Sequence, residues 1–200
     1  MLTAKYSITP ILPERDLPRL HDLLSQLPPW RRQLALSYRN PLDRLQSAFA
    51  YLTLAALLRN DFGIDDFKLN YDHNGRPTLS DYTYSGSYRH RLHISLSHCR
   101  CAVMAAADVN PVGCDVEEIV RPYDPTVADY CFTADERREI TESDDSATAF
   151  ARLWTIKESI YKLDNSIATD ISCVSTAVLR SKFNVISQTA SNYVATLVTI

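Results

Sequence analysis

Residues 150–162 read FARLWTIKESIYK, a run without Gly or Pro and rich in good helix formers, and they predict a helix. At about 100° per residue, Ala149, Leu153, Ile156, Ile160 and Leu163 share one stripe, the expected buried face. Glu158 falls nearly opposite that stripe, flanked by Trp154, Tyr161 and Lys162. A face turned from the core thus carries a carboxylate, an ammonium and two large aromatic rings that gain by leaving water. Two readings are open here. One is an exposed Glu158–Lys162 pair at i,i+4, worth a few tenths of a kcal/mol. The other is a second layer packed over this face, with Glu158 and Lys162 at a site.

Beyond the helix, 200 residues suffice for one domain or for two small halves packed together. Hydrophobic residues make up 46% and charged residues 22%, as in ordinary soluble globular proteins. A net charge of −3 creates no field that would gather nucleic acid. The opening MLTAKYSITPILPERD lacks the apolar run of a signal peptide, and the longest apolar-rich run, 49–58, is too short to span a bilayer. Neither a nucleic-acid nor a membrane partner is expected. Cys99, Cys101, Cys114, Cys131 and Cys173 are odd in number and contain no CxxC pair, which fits structural thiols in a reducing cytoplasm.

In chain order, residues 6–12 read as a strand ended by Pro13, and proline-punctuated short helices follow to Leu27. Pro28-Pro29 and a basic segment, Trp30-Arg31-Arg32, come next; Arg31, Arg32 and Arg39 read as solvated surface. Asn40-Pro41 starts a helix, with Asn40 as N-cap, that runs from Leu42 to about Asn60 and stops near Gly63. Arg44 sits in its first turn, where the helix dipole disfavours a cation, so it is either solvated or turned to an anion. A strand at 67–71, a turn at Asn74-Gly75-Arg76-Pro77 and a polar, Tyr-rich loop at 80–90 follow.

Residues 91–98 alternate, with Leu92, Ile94 and Leu96 on one face and His93, Ser95 and Ser97 on the other. Strands at 101–108 and 112–118 flank the turn Asn110-Pro111, and a loop spans 121–130. Thr133 and Glu136 have capping-box spacing. The helix at 146–163 precedes three β-rich runs, at 173–179, 183–188 and 193–200. Helix-then-strands occurs twice, which predicts an α+β fold of two similar halves, 1–109 and 110–200.

Within VGCDVE (112–117), strand alternation puts Gly113, Asp115 and Glu117 on one face. Two carboxylates at i,i+2 repel unless a cation or a wet cleft lies over them, and Gly113 lets something approach the backbone. Hard oxygens without His or Cys partners suit Mg²⁺. The plain alternative is an exposed strand face with two solvated acids. His98, after Ser97 at the end of an apolar strand face, reads alone as a half-buried, hydrogen-bonded side chain.

In order, the chain offers Arg44, Gly75-Arg76-Pro77, Ser95-Leu96-Ser97-His98, Gly113-x-Asp115-x-Glu117, Phe132-Thr133-x-x-Glu136 and Trp154-x-x-Lys157-Glu158-x-x-x-Lys162. This series resembles the 4'-phosphopantetheinyl transferases, specifically their pseudo-dimeric class associated with peptide and polyketide synthases. The resemblance covers roughly residues 44–162, and the GxDxE and WxxKExxxK elements, about forty residues apart, are its specific part. Cys114 and Val116 replace common isoleucines, and Arg76 stands where Lys is frequent.

The resemblance implies two pseudo-twofold halves, each a helix on a small, mostly antiparallel sheet, with the active site in the cleft between them. It implies transfer of the phosphopantetheine arm of coenzyme A to a serine of an apo acyl or peptidyl carrier protein. Adenosine 3',5'-bisphosphate would be released. Asp115, Glu117 and Glu158 would hold Mg²⁺, Lys162 a phosphate oxygen, and Arg44, Arg76, Ser97 and His98 the nucleotide. Glu158, or a water held by the acids, would take the serine proton, with Glu136 assisting. A chain that carries both halves is expected to work as a monomer. Two competitors use the same residues: a Mg²⁺-dependent nucleotide pyrophosphohydrolase and a non-catalytic coenzyme A- or carrier-binding protein.

Overall fold

The computed structural model describes residues 4–80, 91–164 and 174–200. The expected loop beyond Ser80 and the Cys173 thiol lie outside them. The fold is α+β. Its strands are β1 (Lys5–Pro10), β2 (Lys68–Tyr71), β3 (Pro77–Ser80), β4 (His93–Cys99), β5 (Ala102–Asp108), β6 (Val112–Glu118), β7 (Asn184–Thr189) and β8 (Tyr193–Thr199). Its longest helices are α4 (Pro41–Phe62) and α7 (Ser146–Leu163). Shorter helices are α1 (Pro13–Asp16), α2 (Leu20–Ser25), α3 (Pro29–Ser37), α5 (Pro125–Cys131), α6 (Ala134–Glu142) and α8 (Thr176–Lys182).

The repeat of element order becomes a repeat of topology. One sheet runs β1-β5-β4, with α4 between β1 and the β4–β5 hairpin; the other runs β6-β8-β7, with α7 between β6 and β7–β8. All pairings are antiparallel. β5, AVMAAAD, is buried along its whole length because both its faces are covered. Ala105 and Ala107 pack with Leu54, Leu58 and Phe67 on the α4 side. Met104 and Ala106 meet Val112, Cys114, Val116 and Leu197 of the second sheet. Alanines allow that close approach without voids.

Helix ends follow local chemistry. Asn40 caps α4 by accepting from Leu42 N–H, and Gly63 ends it with φ 64°, a left-handed conformation that glycine adopts without strain. The Thr133–Glu136 capping box forms as the spacing predicts.

Three expectations are corrected. The loop at 121–130 contains α5, started by Asp124 accepting from Thr126 N–H with Pro125 in the first turn. The β-rich run at 173–179 is, from Thr176, the helix α8, because Ser175 caps it and its Leu179 packs on α7; a cap and tertiary contacts outweighed β propensity. Arg31 is not solvated. It is buried, donates to the Ser47 carbonyl at 2.9 Å and lies over the Tyr51 ring, which pins α3 to α4.

Candidate active site

β6 and α7 meet face to face, and Gly113 is the reason they can. A Cβ there would lie 1.8 Å from the Ser159 carbonyl oxygen and 2.7 Å from Leu163 N. The space read from the sequence is therefore filled by the helix backbone of the same chain. This approach brings Glu158 and Lys162 beside Asp115 and Glu117, where they are half-buried at the edge of the contact, while Tyr161 on the same face stays 44% exposed. Ala149, Leu153, Ile156, Ile160 and Leu163 are buried as expected, and so are Thr155, Lys157 and Ser159.

Asp115 is 2% exposed, and its Oδ1 accepts from Ser97 Oγ and from Lys162 Nζ, each at 2.6 Å. Lys162 Nζ also reaches Ser97 Oγ at 3.0 Å. β6 and β4 are stitched nearby by Cys114 N–H donating to Ser95 Oγ. Asp115 Oδ2 is buried without a hydrogen-bond partner, an arrangement that costs free energy unless something else engages that oxygen. Glu158 and Lys162 line a cleft of about 230 Å³ together with Arg76, Pro77, Leu96 and Tyr161. Arg76 is held by donating to the Tyr161 carbonyl at 2.8 Å.

The electrostatics are frustrated in a directed way. Burial, and then the charge of Asp115, push the Glu117 carboxyl up to about 7. The same two causes, in the same order, raise Glu158. Burial pulls Lys162 down, but the charge and hydrogen bond of Asp115 outweigh it and hold the ammonium above its ordinary value. Acids crowded this way want more positive charge than one lysine supplies. Hard oxygen donors, a buried Asp115 Oδ2 without a hydrogen-bond partner and two glutamates raised by burial and by the charge of Asp115 suit Mg²⁺ by their chemistry. Among the described residues no group of three His, Cys, Asp or Glu side chains is arranged to hold a metal ion, and Lys162 is the cation at Asp115.

The remaining expected residues are placed elsewhere. Arg44 donates from Nε to the Tyr38 carbonyl at 2.8 Å, which gives the misplaced cation a local anchor at the end of α3. His98 is exposed near the end of β4. Glu136 does not stand open beside Glu158. It is 3% exposed and accepts from Thr133 N–H, Thr133 Oγ1 and Thr176 N–H, and it pairs with Lys157 Nζ at 2.8 Å. Lys157, whose role the sequence left open, also donates to the Cys131 carbonyl and lies over the Phe132 ring. This latch ties α6, α7 and the start of α8 together. Its only sequence signal was the pairing of a capping-box glutamate with a lysine in a recognised motif.

A family model described as the 4'-phosphopantetheinyl transferase superfamily matches residues 111–195, from the start of β6 into β8. The superfamily matched is the one the motifs pointed to. Two curated relatives are 4'-phosphopantetheinyl transferases: psf-1 of Bacillus pumilus, 26% identical over 148 residues, and Sfp of Bacillus subtilis (strain 168), 22% identical over 143 residues. Each match covers 70% of this chain and 60% of the relative, so the chain matches well under two thirds of those transferases' length. The stretch matched by the superfamily model contains Asp115, Glu117, Glu136, Glu158 and Lys162; Ser97, which completes the hydrogen-bonded cluster, lies before it.

Proposed function

We propose that the protein transfers the 4'-phosphopantetheine arm of coenzyme A to a serine of an apo acyl or peptidyl carrier protein, with Mg²⁺ and with release of adenosine 3',5'-bisphosphate. The observation that carries this reading is the joint of Ser97, Asp115 and Lys162 between the two halves, at a cleft that also takes Glu158 and Arg76. A carboxylate cluster with cations at its edge suits a pyrophosphate together with a hard metal ion.

Asp115, Glu117 and Glu158 would hold Mg²⁺, whose positive charge would offset that of the pyrophosphate. Lys162 and Arg76 then hold phosphate oxygens and keep the phosphorus in line with the incoming hydroxyl. The serine oxygen forms a bond to the phosphorus that carries the pantetheine arm, and the phosphorus–oxygen bond to the nucleotide breaks. The serine proton passes to Glu158 or to a water held by the acids. Glu136 acts through Lys157 as a positioning residue that fixes α7. On this reading the half 1–109 supplies nucleotide contacts, from Arg44, Arg76, Ser97 and His98, and the half 110–200 supplies the metal site.

A monomer in the cytoplasm completes the proposal. The cysteines among the described residues are free, and no described helix is long and apolar enough to cross a membrane. The test is incubation with coenzyme A, Mg²⁺ and a panel of apo-carriers, followed by intact mass. A carrier heavier by one phosphopantetheine supports the reading. Cleavage of coenzyme A with every carrier unmodified would favour the pyrophosphohydrolase, and unchanged coenzyme A and carriers would sink both.

A further inference from the structure

Away from the acidic cluster, the tip of the β4–β5 hairpin holds two thiols. Cys99 ends β4 and pairs with Ala102, so Arg100 and Cys101 form the turn between them. The two sulfurs are hydrogen-bonded at 3.6 Å. Disulfides need Cα atoms roughly 4.4–6.8 Å apart, a span that residues two apart in a turn can meet. The pair is buried, but Cys101 borders an open cleft of about 380 Å³ shared with Ile11, Pro13, Glu14, Arg100 and Asn192. That volume admits a small molecule.

We propose that Cys99 and Cys101 are a dithiol site that a hydroperoxide oxidises to an intramolecular disulfide. The Cys101 thiolate attacks one peroxide oxygen, the O–O bond breaks, and a sulfenic acid and one water (or alcohol) result. The Cys99 sulfur then attacks the Cys101 sulfur, and the sulfenic oxygen leaves as water with the Cys99 proton. The two thiols lose two electrons and two protons, and the peroxide gains them.

The division of labour follows from the surroundings. The hydrogen bond between the two sulfurs, in which either can donate, lets one of them carry a thiolate while the other keeps its proton. Only Cys101 of the two borders the cleft. Cys114, fully buried and pushed up to about 12 by that burial, is inert by the same reasoning. The proposal does not depend on the transfer activity, and its readout is chemical.

Arg100 separates the two cysteines, so trypsin, which does not cut the Arg121–Pro122 bond, releases them on different peptides, 92–100 and 101–137, unless a disulfide joins them. After brief exposure of the folded protein to hydrogen peroxide and alkylation of remaining thiols, the joined peptide pair is expected, with release by dithiothreitol. Cys114→Ser and Cys131→Ser should each leave the joined pair intact, a control needed because peptide 101–137 also contains Cys114 and Cys131. Cys101→Ser should abolish it. Cys99→Ser should abolish it too, and leave a sulfenic acid at Cys101 that dimedone traps. Separate peptides in the oxidised wild type, or a joined pair that survives Cys101→Ser, would overturn the proposal.

Discussion

At the scale of the residue, Asp115 is where structure and chemistry meet. One of its oxygens is shared by Ser97 and Lys162, and the other is buried without a hydrogen-bond partner. Asp115→Ala and Glu158→Gln should each lower phosphopantetheinyl transfer by at least ~10²-fold, the scale of a positioned charge or base. Near-normal turnover in either folded variant would remove that residue from the site. Arg44 poses a sharper choice now that its Nε is seen on the Tyr38 carbonyl. If it also meets the 3'-phosphate, Arg44→Ala should weaken coenzyme A binding about ten- to a hundredfold and leave dephospho-coenzyme A nearly untouched. Equal losses for both nucleotides by calorimetry would mean that Arg44 only clips α3 to α4. Both residues were legible as types, a carboxylate on a strand face and a cation against a dipole. The partners of Asp115 were not, because hydrogen bonds across 18 or 47 residues of sequence leave no local trace.

At the scale of the element, α7 is fixed by a missing side chain and a buried ion pair. Gly113→Ala would drive a methyl group into the Ser159 carbonyl and force β6 from α7, at about 3 kcal/mol or more of stability measured by urea unfolding. An unchanged midpoint would contradict the close approach. The Glu136–Lys157 pair is the second support. Burial alone would raise Glu136, but Lys157, Thr176 and Thr133 outweigh it and hold the carboxyl below its ordinary value. A depressed acid stabilises the fold fully above the ordinary glutamate value, and that contribution is lost as pH falls through the folded value. Glu136→Gln should therefore cost about 3–5 kcal/mol at neutral pH, since it strands a buried ammonium, and the gap to wild type should close on acidification. A gap that does not change between neutral and acidic pH would show that the charge of Glu136 is not what holds α7. The boundaries of α7 itself were readable from composition alone. Those of α5 and α8 were not, since short helices depend on caps and on the surface they land on.

At the scale of the whole molecule, two sheets of identical connectivity pack through the alanine-rich β5, and Asp115 of one sheet meets Ser97 of the other. If cations at this junction guide an acidic carrier, kcat/KM should fall with ionic strength while kcat changes less. A salt-independent kcat/KM would point to an apolar contact. The sequence by itself determined the α+β class, the doubled order of elements, α7 with its buried stripe, and the set of acids and bases, because periodicity, caps and turn residues act over a few neighbouring positions. Only the tertiary structure decided that Glu158 and Lys162 stand half-buried at a cleft, that Glu136 serves Lys157, and that Arg31 is buried. Each of those depends on which distant surface covers a side chain. That coverage sets its solvation and its charge, and no run of neighbours along the chain encodes it.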